Sequence, residues 1–184
     1  MTAVTRTGLL VIDAQRDYFP GGVLPLVGIE PAAEVAAAVL ERARAAGTWI
    51  GVVRHEGEEG GLLAAGTPGA ELDPRFEPRQ DERLIVKREP NAFLGTGLLE
   101  LLGGAAVDRL TVVGFMSSMC VDATTRAALD AGIDVEVVAA ACAAPDLRFD
   151  GAVVDGATVH RAFMAALQGA GASVVPMLED SRLG

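Results

Sequence analysis

Gly8-Leu-Leu-Val-Ile-Asp13 is an unbroken apolar run that ends in a carboxylate. A strand with one wet face alternates apolar and polar residues. A strand covered on both faces does not, and all-parallel sheets are covered on both faces by their crossover helices. The run therefore reads as a central parallel strand that carries Asp13 at its carboxyl end. Five more β-rich runs follow, at Thr48–Arg54, Arg83–Lys87, Arg109–Gly114, Asp134–Ala139 and Ala172–Pro176. Helical patterns lie between them, at Pro31–Ala46, Gly97–Leu102, Met119–Ala131 and Val153–Gly169. Pro31 suits a first helical turn, and Gly47 is a stop. This alternation predicts right-handed crossovers and an α/β, three-layer Rossmann-like fold. Its sheet should have about six strands, mainly parallel, with helices on both faces.

The 184 residues suit one domain, here 1–184. With 51% hydrophobic and 22% charged residues, the chain can bury a substantial core. Lys plus Arg total 15 against 25 Asp plus Glu, a net charge of −10. So acidic a chain lacks the basic field of a nucleic-acid binder and is repelled by anionic lipid. No apolar run approaches the roughly 18 residues of a membrane span. The first seven residues lead straight into the strand and do not read as a leader. Cys120 and Cys142 are too few for a secreted disulfide framework, which points to the cytoplasm. Two histidines, His55 and His160, argue against a metal site built on several imidazoles, and no cofactor is expected.

Ligands of open α/β sheets bind beyond the carboxyl ends of the strands. Those ends carry Asp13, then Arg54 and His55, then Lys87, then the turn Gly114-Phe-Met-Ser-Ser-Met-Cys120. Carboxylate, ammonium and thiol thus meet on one rim. A cysteine in a first helical turn sits beside unpaired N–H groups, and a nearby ammonium should lower its pKa further. Asp13 is placed to accept and return a proton, and N–H groups of the turn to hold an oxyanion. Such parts suit acyl transfer through a thioester. Each residue also has a plain reading: Asp13 as a turn cap, Lys87 as a solvated strand end, Cys120 as a buried thiol. Their common register favours the chemical one. Cys142, in an alanine-rich patch, reads as core, and His160 as a surface or interface position. The Gly- and Pro-rich stretch 55–82 lacks periodicity and should form a long loop over the rim.

Three segments carry a resemblance: Val11-Ile-Asp-Ala-Gln-Arg-Asp-Tyr-Phe19; Val86-Lys87 with Asn91-Ala-Phe-Leu-Gly-Thr-Gly-Leu98; and Val113-Gly-Phe-Met-Ser-Ser-Met-Cys-Val121 with Thr125–Ala128. In this order the chain resembles the isochorismatase-like cysteine hydrolases, which include nicotinamidases and carbamoylsarcosine amidases. The resemblance implies Asp13 as acid/base, Lys87 as catalytic lysine and Cys120 as nucleophile. It also implies a cis peptide between Phe115 and Met116, with the N–H groups of Met116 and Cys120 as oxyanion hole. Gln15 and Phe19 match positions that brace or line a substrate pocket in relatives, and Phe93 is placed to line it. Ser117 stands where threonine is common and keeps the hydroxyl, and His55, without a partner motif, reads as structural or pocket-lining. The family usually forms homodimers or tetramers. Zinc-dependent relatives carry Asp-x-His after the second strand. Here Val53-Arg54-His55 has valine instead, and no histidine follows until His160, so the metal-independent branch is implied. The expected activity is hydrolysis of a small amide through a thioester. The alternatives are C–O hydrolysis of the isochorismatase type and a non-catalytic binding or redox-sensing role for Cys120.

Overall fold

The computed structural model describes residues 6–183; the leader-free reading of the first residues falls on positions 1–5, outside them. Strands β1 (Thr7–Ile12), β2 (Trp49–His55), β3 (Arg83–Lys87), β4 (Arg109–Phe115), β5 (Asp134–Ala143) and β8 (Ser173–Val175) form one sheet. Its order is β3-β2-β1-β4-β5-β8, and every neighbouring pair is parallel. Helix α1 (Ile29–Ala45) covers one face; α2 (Leu98–Gly104), α3 (Cys120–Asp130) and α4 (Gly156–Gly169) cover the other. The three-layer α/β architecture is the one the alternation predicts.

The apolar run of β1 has a direct cause. Leu9 and Val11 pack into the core under α1, while Leu10 and Ile12 pack into the core under α2, α3 and α4. All four side chains are fully buried, so neither parity of the strand can be polar. The chain runs outward from β1 to β3 and then returns to β4 on the other side. That reversal puts a topological switch point at the carboxyl ends of β1 and β4, where α/β sheets form their crevices. Gly114 lets the two strands close there. Its φ is +119°, and a Cβ would be driven into the Ile12 carbonyl group. The β4–β5 register shifts at the same point, between Val112 and Gly114.

Two boundaries differ from expectation. Strand β5 continues past Ala139 to Ala143, because Cys142 and Ala143 resume pairing with Gly114 and Phe115 beyond the shift. The last helix begins at Gly156, not Val153: Ala152–Val154 is β7, paired antiparallel with β6 (Leu147–Phe149). Asp150 (φ 49°) and Gly151 (φ 75°) make the turn of this hairpin, the Asp-Gly pair that such two-residue turns favour. Asp155 then caps α4 by accepting from the Thr158 N–H at 2.9 Å. The hairpin lies on the surface and leaves Phe149 81% exposed.

The long connection between β2 and β3 holds only two 3-10 turns, Pro68–Ala70 and Pro74–Phe76, yet it is tied down along its length. Arg16 N–H donates to Glu71 O (2.9 Å) and Asp73 N–H to Ala14 O (2.8 Å). The buried Asp17 carboxylate accepts from Leu63 N–H at 2.8 Å. Arg44 grips Glu82 with two hydrogen bonds, of 2.6 and 2.8 Å. Phe76, Leu63 and Leu72 pack into the α1-side core. Among the described residues, no helix is long and apolar enough to cross a membrane.

Candidate active site

Asp13 follows β1 with φ +47°, its N–H bonded to Val53 O at 3.0 Å, so the carboxylate turns off the strand end into the crevice. Lys87 ends β3 and stands in register with His55, which ends β2. Cys120 opens α3 directly after the turn that leaves β4. Four separate stretches therefore aim side chains at one point. Lys87 Nζ lies 2.7 Å from Asp13 Oδ2, 3.3 Å from Cys120 Sγ and 2.8 Å from His55 Nδ1. The Asp13 and Lys87 side chains have no solvent exposure. Neither Asp13 oxygen accepts a well-aligned hydrogen bond from the described residues; the partner of the carboxylate is the Lys87 charge.

Burial dominates the electrostatics. It raises the pKa of Asp13, against the opposing pull of Lys87. It also pushes the Cys120 thiol up, with the charge of Asp13 adding and that of Lys87 opposing. The sequence led to the opposite expectation for Cys120, an acidified thiol. The first-turn position and the ammonium are as anticipated, but a thiol on a residue only 4% exposed, beside a carboxylate, holds its proton. His55 is displaced downward, to about 4, by burial and then by the Lys87 charge, so its ring is neutral.

Cys120 Sγ is not sealed off. It lies at a cavity of about 310 Å³ walled by Tyr18, His55, Leu62, Leu63, Pro90, Met116 and Met119. A second cavity, of about 490 Å³, shares His55, Gly57 and Glu58 and adds Glu56, Glu59, Arg88 and Glu89. The Phe115–Met116 peptide is cis. In the turn, Ser117 N–H donates to Ala143 O, while Met119 and Val121 N–H both donate to Met116 O. The N–H groups of Met116 and Cys120 have no backbone acceptor among the described residues.

The other anticipated pocket residues lie elsewhere. Gln15 is fully buried, and its amide joins the β2 end to the loop: Nε2 donates to His55 O (2.8 Å) and Ala70 O (2.7 Å), and Oε1 accepts from His55 N–H (2.8 Å). Phe19 packs edge-on to Phe115, their centroids 6.2 Å apart, and borders a different cavity. Phe93 packs against the core beneath α2 and α3. Ser117 Oγ pairs with His160 Nδ1 at 3.0 Å behind the turn. His160 is therefore tied to the turn while staying partly exposed at another cavity. The wall residues Leu62 and Leu63 lie in the loop whose apolar residues point to its packing down over the rim, whereas Tyr18, Pro90 and Met119 carry no such signal. One signal at the centre was also available: Lys87 is the only lysine in the chain.

Asp13, His55 and Cys120 each offer a donor atom, all within 4.8 Å of one another, a grouping that would suit a metal ion. The Lys87 ammonium already lies within hydrogen-bond range of all three. A second cation among these residues would have to displace it against direct repulsion, so the group does not fit a metal while Lys87 is in place.

A family model described as the isochorismatase domain matches residues 7–176. The chain belongs to the isochorismatase family. It is 42% identical over 170 residues to the uncharacterized isochorismatase family protein YddQ of Bacillus subtilis, covering 91% of this chain and 94% of that one. The crystal structure of an isochorismatase from Pseudomonas putida KT2440 superposes with a TM-score of 0.88 at 36% identity, over 96% of this chain and 91% of that one. A streptothricin hydrolase of Streptomyces noursei is 39% identical over 127 residues, which span 67% of this chain but 45% of that enzyme. This chain is thus an isochorismatase-family hydrolase.

Proposed function

We propose that this isochorismatase-family hydrolase cleaves a small amide through a thioester on Cys120. The observation that carries the reading is the Lys87 ammonium held between Asp13 Oδ2 and Cys120 Sγ at the wall of an open cavity. Asp13 takes the Cys120 proton as the sulfur attacks the carbonyl carbon, and Lys87 balances the charge that develops. The free N–H groups of Met116 and Cys120 receive the oxyanion. As the C–N bond breaks, Asp13 protonates the leaving amine. Asp13 then deprotonates the water that opens the thioester, and returns that proton to the sulfur. The raised pKa values of Asp13 and Cys120 suit this order, in which the thiol ionises only against the substrate.

An amide also agrees with the activity named for a relative, the maleamate amidohydrolase of Pseudomonas putida, 29% identical over 149 residues. The adjoining cavity departs from what an anionic acid would favour. Glu56, Glu58, Glu59 and Glu89 line it against the single arginine Arg88, on a chain of net charge −10, a field that repels anions. The proposed substrates are therefore neutral or cationic amides.

Intact-mass measurement during incubation with a panel of small amides tests this. The expected result is an acyl increment on Cys120, with release of ammonia or an amine, lost in Cys120→Ala. Turnover that persists in Cys120→Ala would overturn the thioester. Release of pyruvate from a chorismate-type acid without an adduct would move the activity to C–O hydrolysis.

A further inference from the structure

Lys87 has three N–H donors and no acceptor, and its side chain is shut away from water. Each hydrogen therefore needs a protein partner. Asp13 Oδ2 is its ion-pair partner at 2.7 Å, and Cys120 Sγ accepts a hydrogen bond at 3.3 Å. The third partner, at 2.8 Å, is His55 Nδ1. A ring nitrogen that accepts from an ammonium carries no proton, so the hydrogen of His55 sits on Nε2.

We propose that His55 is a positioning residue for this site: held as the neutral Nε2–H tautomer, it takes the third hydrogen of the Lys87 ammonium and keeps that ammonium against Cys120 Sγ. The proposal rests on Cys120 as nucleophile.

The fold supports His55 in this task. Gln15 holds the His55 peptide on both sides, its amide bonded to the N–H and the C=O, each at 2.8 Å. Pairing of His55 with Lys87 in the β2–β3 register sets the distance between the two side chains. The charged and titratable groups around the ring are Lys87 on β3, Asp13 after β1, Cys120 on α3, Tyr18, and, across the adjoining cavity, Glu56, Glu58, Glu59, Arg88 and Glu89. An imidazolium would face the ammonium at 2.8 Å, and burial together with that charge holds the ring neutral down to about pH 4. Without His55, the ammonium loses one of its three partners, and only the Asp13 carboxylate and the sulfur remain to hold it.

The test reads the sulfur directly, without a substrate. Alkylation of Cys120 by iodoacetamide, followed at peptide resolution across pH, is compared in the parent, His55→Leu and His55→Asn. His55→Leu should slow the reaction about tenfold at neutral pH and move the profile upward, the effect of losing one charge-assisted hydrogen bond. In His55→Asn the amide oxygen stands near the place of Nδ1, and most of the rate should return. Equal profiles in parent and His55→Leu would overturn the proposal and leave the thioester reading intact. So would His55→Asn no faster than His55→Leu. A parent Cys120 that resists alkylation at all pH values would overturn both. Should the leucine variant fail to fold, nitrogen NMR of the parent decides. Labelled lysine gives one side-chain signal, from Lys87, and labelled histidine gives two ring systems. A ring assigned to His55 with its proton on Nδ1 would overturn the proposal.

Discussion

Lys87 Nζ stands 2.7 Å from Asp13 Oδ2 although β2 separates their strands in the sheet. The lysine reaches across the end of β2, where His55 meets it. Removing two charges from water costs several kcal/mol per ion, and their attraction repays this only when the remaining donors and acceptors are filled. Lys87 has His55 and Cys120 as hydrogen-bond partners and Asp13 as its ion pair, while neither oxygen of Asp13 accepts a well-aligned hydrogen bond from the described residues. That carboxylate is where a proton can arrive.

Lys87→Met keeps the length of the side chain and removes the charge. Asp13 is then a buried carboxylate with no cation, and stability should fall by about 3–5 kcal/mol at pH 8. The sign with pH follows from the already raised pKa of Asp13. Losing Lys87 raises it further, so the folded variant binds a proton that the unfolded chain has released. Stability must therefore recover as pH falls toward the unfolded value of 3.8. Adding Asp13→Asn should restore part of the loss at pH 8. Urea denaturation of the single and double variants at pH 8 and pH 5 measures all of this. A Lys87→Met protein as stable as the parent at pH 8 would contradict it.

The centre of the site was legible because strand ends are a place that sequence can locate. Asp13, Lys87 and Cys120 each terminate or follow an apolar run, and parallel strands put their carboxyl ends on one rim. What His55 does was not legible: a histidine at a strand end shows neither which neighbour its ring meets nor which nitrogen is used. The acidity of Cys120 was misjudged because local helix geometry is visible in sequence and desolvation is not. The cavity walls came from Leu62 and Leu63, in a stretch without periodicity, placed by tertiary contacts such as Asp17 to Leu63. The β6–β7 hairpin had a readable signal in Asp150-Gly151, masked by the apolar residues that continue into α4.

Asp17 should govern the cavity from a distance. Its carboxylate accepts from Leu63 N–H at 2.8 Å and from Val23 N–H at 3.3 Å, and Gly69 packs so closely on it that a Cβ there would clash. Asp17→Ala leaves a buried N–H without an acceptor, a cost of about 1–3 kcal/mol. Because Leu63 walls the Cys120 cavity, the loss should appear as a raised KM and as faster proteolysis between residues 56 and 72. Limited proteolysis with mass mapping checks it; an unchanged cleavage pattern would show that Leu63 is held by packing alone.

Gly114→Ala should be among the most damaging single changes. The added methyl meets the Ile12 backbone, which cannot yield without parting β1 from β4, and φ +119° is hostile to any L side chain. A loss above about 4 kcal/mol is expected. Soluble yield and thermal melting measure it, and a melting temperature within a few degrees of the parent's would require the two strands to separate more easily than their register suggests.

Stability should also fall on mild acidification, through the histidines. The folded pKa of His55 lies near 4 against an ordinary 6.5, and burial lowers that of His160 as well. Between those limits the unfolded chain binds protons that the folded chain refuses, so the slope of unfolding free energy with pH is positive there. The contribution of neutral His55 is thus complete above about pH 6.5 and is lost as pH falls toward 4. Because the ring is only partly buried, solvent screening limits that loss to about 1–2 kcal/mol. Urea midpoints at pH 7, 6, 5 and 4 should decline in the parent and decline less steeply in His55→Asn, with His160→Asn as the companion variant. Parallel lines for parent and His55→Asn would mean that the ring takes up its proton in the folded state as readily as in the unfolded one.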